Sequence, residues 1–191
     1  LRVPLNPNAL DKCQMPNDVW CIDFKGHFAL GDKKRCYPLT LTDAASRYIL
    51  CCEALLKTDV VAVRPHIERA FVEFGLPRKI RSDNGPPFAT VGVGGLSALS
   101  VWWIRLGIEP ERIEPGHPEQ NGRHERMHRT LKDEPASEPG RNLSEQQRLF
   151  DLWRAQFNNE RPHEALSLRT PASRYSVSGR PYPVEPRSPE Y

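Results

Sequence analysis

The chain has 191 residues, with 27 Lys and Arg against 24 Asp and Glu, for a formal net charge of +3. That length suits one domain whose core needs no covalent staples, and so small a charge excess permits an anionic partner without demanding one. Five cysteines (Cys13, Cys21, Cys36, Cys51, Cys52) without a C-x-x-C pair argue against a disulfide framework, and no run approaches the apolar length of a membrane span.

The six histidines form no zinc spacing with those cysteines, and no H-E-x-x-H is present. No signal-peptide pattern opens the chain, which begins at Leu1 and is expected to be a piece of something longer.

Residues 1–16 are rich in Pro and Asn and read as a linker or extended arm. Two apolar segments, 19–30 and 36–43, are separated by the turn Gly31-Asp32-Lys33-Lys34-Arg35, so an antiparallel hairpin is expected. A third strand over 48–55 would complete a meander. Thr58 is the expected N-cap of the next element, with Asp59 in its first turn. Val60, Val63, Ile67, Ala70, Phe71 and Phe74 then recur at helical spacing until Gly75 and Pro77 end the helix. Pro65 requires a kink or a start nearby. Lys79-Ile80-Arg81-Ser82 reads as a short strand ending at Asp83-Asn84-Gly85, parallel to an earlier one by a crossover.

The glycine-rich stretch 86–95 is expected to be a mobile loop. A helix over 96–106 carries Trp102 and Trp103, which read as core or interface anchors, and a strand over 108–113 follows. Pro115, Gly116 and Pro118 then make a loop that feeds a helix from Gln120 onward. On that helix Glu125 shares a face with His128, Arg129 and Lys132. Two readings stay open here. The helix could be solvated, with Glu125–Arg129 and Arg129–Asp133 ion pairs, or its carboxylate and basic stripe could face a metal and a phosphate backbone.

Ser144 is the expected cap of a helix over 145–158, with Leu149, Leu152, Trp153 and Phe157 on one face. A short packed segment around Ala165, Leu166 and Leu168 follows. The expected domain is 17–175, and the Pro-rich residues 176–191 read as an extended or disordered tail.

Three acids stand out. Asp23 interrupts an apolar strand, where an unpaired carboxylate is costly. Asp83 ends a strand where open α/β sheets place ligands, although D-N-G is also an ordinary turn. Glu125 lies on the helix just described. The sequence W-C-I-D-F, then R-S-D-N-G-P-P-F, then P-G-H-P-E-Q-N-G-R-H-E-R-M-H-R-T-L-K resembles the integrase catalytic core of retroviral integrases and bacterial insertion-sequence transposases. The later F-N-N-E-R-P-H-E-A-L is similar to a segment of the bacterial members. The resemblance runs from about Trp20 to Ala172 and implies an α/β, RNase H-like fold. That fold has a mixed five-stranded sheet, three strands antiparallel and two parallel, flanked by helices.

Carried over by motif, the resemblance implies Asp23, Asp83 and Glu125 as catalytic metal ligands, with Asp23 bridging. Between Asp83 and Glu125 lie 41 residues, more than the family usually has, and the extra length fits the 86–100 loop. Glu119, with 35 residues between it and Asp83, is the rival by spacing. Glu125 is preferred because the family's acid follows N-G on the helix. Arg129 and Lys132 match family positions that contact DNA, and Asn84 could join them, though turn geometry explains Asn84 equally well. Asp43 reads as a turn residue, and His163 as a packed, hydrogen-bonded histidine or a support for the site.

The implied cofactor is Mg²⁺ or Mn²⁺, two ions per site, since hard oxygen ligands suit these cations. Two such ions activate an attacking oxygen and stabilise a leaving one at phosphorus. The resemblance thus implies hydrolysis and strand transfer on double-stranded DNA, both element ends and target. It also implies a homo-oligomer acting in the bacterial cytoplasm, with no membrane partner. Two alternatives stay open: a nuclease of the same fold that only hydrolyses, and a non-catalytic DNA-binding relic.

Overall fold

The computed structural model describes residues 13–90, 95–113 and 122–183, with side chains placed except over 122–126. Its elements are β1 (Val19–Phe24), β2 (Phe28–Ala29), β3 (Arg35–Asp43), β4 (Ile49–Leu55), α1 (Val60–Phe74), β5 (Lys79–Ser82), α2 (Ala98–Arg105), β6 (Glu109–Arg112), α3 (Gly122–Asp133) and α4 (Leu143–Asn159). β4, β3 and β1 pair antiparallel, and β5 and β6 extend the sheet parallel to β1. The expected mixed sheet is present.

The apolar segment 19–30 is not one unbroken strand. Phe24 pairs with Leu39 and Phe28 with Cys36, so four steps on one side match three on the other. Gly26, at φ +59°, absorbs the extra residue as a bulge, a conformation that costs a Cβ-bearing residue more. β2 therefore continues β1 along β3 after a one-residue slip.

Each face of the sheet buries its own core. Trp20, Ile22, Leu39, Leu41 and Ile80 pack with Val63, Ile67 and Phe71 of α1 and with Leu99, Trp102 and Trp103 of α2. On the other face Cys36, Ile49, Cys52 and Ala54 meet Met127 and Leu131 of α3 and Phe150, Trp153 and Phe157 of α4. Trp102 and Trp103, expected as anchors, are buried core residues, and so is Trp153.

Two helix caps differ from expectation. Asp59, not Thr58, caps α1, its carboxylate accepting the Ala62 N–H at 2.9 Å. Asn142, not Ser144, caps α4, its Oδ1 accepting the Glu145 N–H at 3.0 Å. In both cases the cap is the extended residue whose oxygen reaches three positions ahead. Gly75 ends α1 as expected, at φ +77°. In the segment after α4, Leu166 is buried, whereas Ala165 is exposed and Leu168 is 68% exposed at φ +61°. The turn there packs one apolar side chain rather than three.

The edge strand β4 is covered by side chains of α4. Gln147 bonds Ala54 N–H and Cys52 C=O, Arg154 donates to Leu50 C=O, and Asn158 bonds both backbone groups of Ile49. These contacts satisfy an edge that would otherwise invite another strand. Beyond α4, residues 176–183 are extended and held to the body. Ser178 N–H donates to Phe74 C=O, Leu76 N–H donates to Arg180 C=O, and Tyr182 Oη donates to Glu68. Residues 184–191 of the expected tail, 1–12 of the arm and 91–94 of the loop lie outside the described residues.

Candidate active site

Asp23 is the fifth residue of β1 and pairs with Thr40 of β3. Its side chain is 22% exposed, and its Oδ1 accepts the Phe24 N–H at 2.8 Å. Strand alternation puts Trp20 and Ile22 into the α1/α2 core, so Asp23 emerges on the opposite face with Cys21. That is the face covered by α3.

Asp83 immediately follows β5. The parallel register sets Val19 beside Lys79, Trp20 beside Ile80 and Cys21 beside Arg81. Continuing that register two residues places Asp83 beside Asp23, on the same face and at the carboxyl ends of adjacent parallel strands. Two acids with 59 residues between them in sequence thus fall at the ends of adjacent strands. The turn after Asp83 is built around its carboxylate. Oδ1 accepts the Gly85 N–H at 3.2 Å, and a Cβ at Gly85 would stand 3.2 Å from Oδ2, a tight approach. Partial desolvation raises the Asp83 carboxyl above the usual carboxylate range, and the Gly85 N–H pulls against it.

Asn84 is exposed, and its amide donates to Ile113 C=O at 2.7 Å, tying this turn to the end of β6. The turn-geometry reading of Asn84 therefore has a concrete bond behind it. Phe88 then stacks on Phe24 on the α1/α2 side of the sheet, with ring centroids 5.8 Å apart. Its carbonyl accepts the hydroxyls of Ser97 and Ser100 at the start of α2. An aromatic stack therefore joins the residue after Asp23 to the loop after Asp83.

Glu125 lies on the described backbone of α3; its side chain, with those of Arg123 and Arg126, lies outside the described residues. So do Glu119, Asn121 and the 115–118 loop. One turn after Glu125, His128 is 3% exposed, with Nδ1 3.8 Å from Asp23 Oδ2 and Nε2 2.7 Å from Thr40 Oγ1. α3 is thus seated on β1 and β3 at the first acid. Neither His128 nor Thr40 stood out in the sequence as a partner of Asp23; the one available signal was the i,i+3 spacing of Glu125 and His128.

Met127, His128 and Leu131 form the buried side of α3, while Arg129, Lys132 and Asp133 are exposed. Among the described residues neither Arg129 nor Lys132 forms an ion pair, so the Arg129–Asp133 bridge that belonged to the solvated-helix reading is not made. Asp43 is the turn residue expected, but it is 1% exposed and accepts from Asn17 and Ser46. His163 packs on Phe157 with ring centroids 4.7 Å apart, yet its buried Nε2 has no hydrogen-bond partner among the described residues. The expectation of a hydrogen-bonded ring fails at that atom.

Known proteins resemble this chain in sequence and in fold. Two family models, each described as the integrase core domain, match residues 14–118 and 106–171. A 39.2 kDa protein of insertion element IS476 from Xanthomonas euvesicatoria is 30% identical over 167 residues, covering 87% of this chain and 46% of that protein. A 31.7 kDa protein of IS407 from Burkholderia multivorans is 29% identical over 158 residues, covering 82% of this chain and 54% of that one. The chain therefore spans about half the length of these relatives. The Gag-Pol polyprotein of baboon endogenous virus is 34% identical over 121 residues, which is 62% of this chain and 6% of the polyprotein.

Among solved structures, the HTLV-2 integrase catalytic core in complex with magnesium superposes with a TM-score of 0.65 at 17% identity, over 85% of this chain and 98% of that one. The BIV integrase core gives 0.62 at 21% identity, over 83% and 93%. These likenesses identify the sheet and its helices as the RNase H-like fold. With the ordered acidic motifs, the matched family model and the insertion-element relatives in agreement, this chain belongs to the integrase core domain family.

Proposed function

We propose that this chain is the catalytic core of a bacterial transposase that hydrolyses and transfers DNA phosphodiesters. The observation carrying the proposal is the parallel register of β1 and β5, which, continued two residues beyond Cys21 and Arg81, brings Asp23 and Asp83 together, with the Glu125 helix seated against Asp23 through His128. Two carboxylates brought to one strand end, Asp23 partly buried and Asp83 exposed, repel each other unless a cation joins them. Their hard oxygen donors suit Mg²⁺ or Mn²⁺, and Glu125 on α3 is the third proposed ligand.

When bound, a pair of such ions would activate an attacking hydroxyl and stabilise the leaving oxygen at phosphorus. The protein's own part is to hold the acids in place. The Gly85 N–H orients Asp83, the Phe24 N–H orients Asp23, and the Phe24–Phe88 stack ties the residue after Asp23 to the loop after Asp83. Arg129 and Lys132, exposed on α3 one and two turns beyond Glu125, are proposed contacts to the DNA backbone, with Asn84 at the rim of the site. Double-stranded DNA at element ends and target is the proposed substrate, joined by a homo-oligomer in the bacterial cytoplasm. Among the described residues, no helix is long and apolar enough to cross a membrane.

The test is strand transfer on labelled duplexes with Mg²⁺ or Mn²⁺, run beside Glu125→Gln and Glu119→Gln. Joined products lost only with Glu125→Gln support the proposal and its third ligand. Loss with Glu119→Gln alone moves the site. Cleavage without joining means a nuclease, and DNA binding without either reaction means a relic.

A further inference from the structure

We infer that His128 is a positioning residue that, through Thr40, clamps the Glu125 helix to the backbone of Asp23 and so fixes where the first acid stands. The inference deepens the proposed function and rests on it.

Groups from three elements meet at one point. His128 comes from α3, Thr40 from β3 and Asp23 from β1. His128 is 3% exposed and Thr40 wholly buried, so neither polar group has water to replace a lost partner. They satisfy each other at 2.7 Å, between Thr40 Oγ1 and His128 Nε2. Thr40 Oγ1 also lies 3.2 Å from the backbone oxygen of Asp23, directly across the ladder.

The Thr40 hydroxyl has one proton, and it donates that proton to the backbone carbonyl of Asp23 at 3.2 Å. The 2.7 Å contact is then donated by the His128 Nε2–H, so a chain of two hydrogen bonds runs from α3 through β3 to the backbone of Asp23 on β1. The same ring packs beside the Asp23 side chain, with Nδ1 3.8 Å from Oδ2.

The same ring fixes the helix. Glu125 is three residues before His128 on α3. Seating His128 on Thr40 therefore sets where the backbone of α3 at Glu125 stands over β1 and β3. Groups that position ligating carboxylates in this way commonly carry a large share of metal affinity.

Mn²⁺ binding by calorimetry and melting temperature in EDTA test the clamp, using the wild-type chain, Asp23→Asn, His128→Ala, His128→Gln, Thr40→Val and Thr40→Ser. His128→Ala and Thr40→Val should weaken Mn²⁺ binding roughly 10–100-fold. Thr40→Ser, which keeps the hydroxyl, should retain wild-type affinity. That contrast is one a merely structural loss would not produce. Should His128→Ala fail to fold, the Thr40 pair and His128→Gln decide alone. Mn²⁺ affinity lost in Asp23→Asn but unchanged in folded His128→Ala and Thr40→Val overturns the clamp and leaves the proposed function standing. Affinity unchanged by Asp23→Asn overturns the metal site itself.

Discussion

The backbone N–H of Asn17 donates to Asp43 Oδ2 at 2.7 Å, joining residues 26 positions apart. Around that bond the N-terminal approach, the β3–β4 turn and the C-terminal segment meet. Asn17 Oδ1 accepts from Trp20 Nε1 and Tyr175 Oη, and Asn17 Nδ2 donates to Ser176 C=O. Asp43 Oδ1 accepts the Ser46 N–H and hydroxyl. Asp43→Ala would leave the Asn17 and Ser46 N–H groups without their acceptor in a buried site, at a cost of about 3 kcal/mol. Urea unfolding measures it. A midpoint equal to wild type would show that these bonds are replaced by water.

Arg180 ties the C-terminal segment across the end of α2. Its guanidinium donates to Pro77, Leu106 and Gly107 carbonyls, while its own carbonyl accepts the Leu76 N–H at 2.7 Å. Gly75 makes this possible, because a Cβ there would come within 2.8 Å of Arg180 O. Arg180→Ala is expected to cost roughly 1–2 kcal/mol, the scale of charge-assisted bonds at a half-buried site. Gly75→Ala should cost more, through both strain and displacement of the segment. Thermal melts of the two variants check the order, and Arg180→Ala melting with wild type would mean that the segment contributes nothing.

His163 gives stability an acid limit. Burial first, then the nearby Arg161 and Arg47 charges, hold its pKa below the ordinary histidine value of 6.5. A depressed folded pKa means the unfolded chain takes up the proton first. The contribution of His163 is therefore complete above about pH 6.5 and is lost as pH falls toward the folded value. His163→Phe, which keeps a ring beside Phe157, should flatten the melting temperature between pH 7 and 5. Parallel pH profiles for the two proteins would rule this histidine out as the source.

DNA affinity should carry the mark of Arg129 and Lys132. Each neutralised phosphate contributes about 0.9 to the slope of log affinity against log salt for B-DNA. Arg129→Ala and Lys132→Ala should each weaken binding across sequences and lower the slope by about 1. Fluorescence anisotropy over a salt series measures both. An unchanged slope in the double variant would remove α3 from the backbone interface.

Local signals were enough for the elements of this protein. Apolar alternation marks β3 and β4, helical recurrence marks α1 and α4, and Gly75 ends α1 where its positive φ is needed. The three acidic motifs were legible because each carries several residues in a fixed local order. Cap identity was less legible. Asp59 stands beside Thr58, and Asn142 two residues before Ser144, and each pair comprises two good caps. Which member turns extended depends on where the preceding loop lands.

What no local pattern contains is the meeting of distant residues. The register that, continued past Cys21 and Arg81, leads Asp83 to Asp23 arises from β5 pairing with β1 across the intervening helix. The His128–Thr40 contact depends on how α3 sits upon the sheet, and the bonds of Gln147, Arg154 and Asn158 to β4 depend on α4 lying along an edge. Arg180 and Tyr182 belong to a stretch that composition reads as unstructured, yet the ends of α1 and α2 offer carbonyls and a carboxylate at matching positions. Sequence determines propensity and periodicity, which act over a few residues. Tertiary packing decides which buried polar groups find partners, because that depends on the simultaneous placement of several elements.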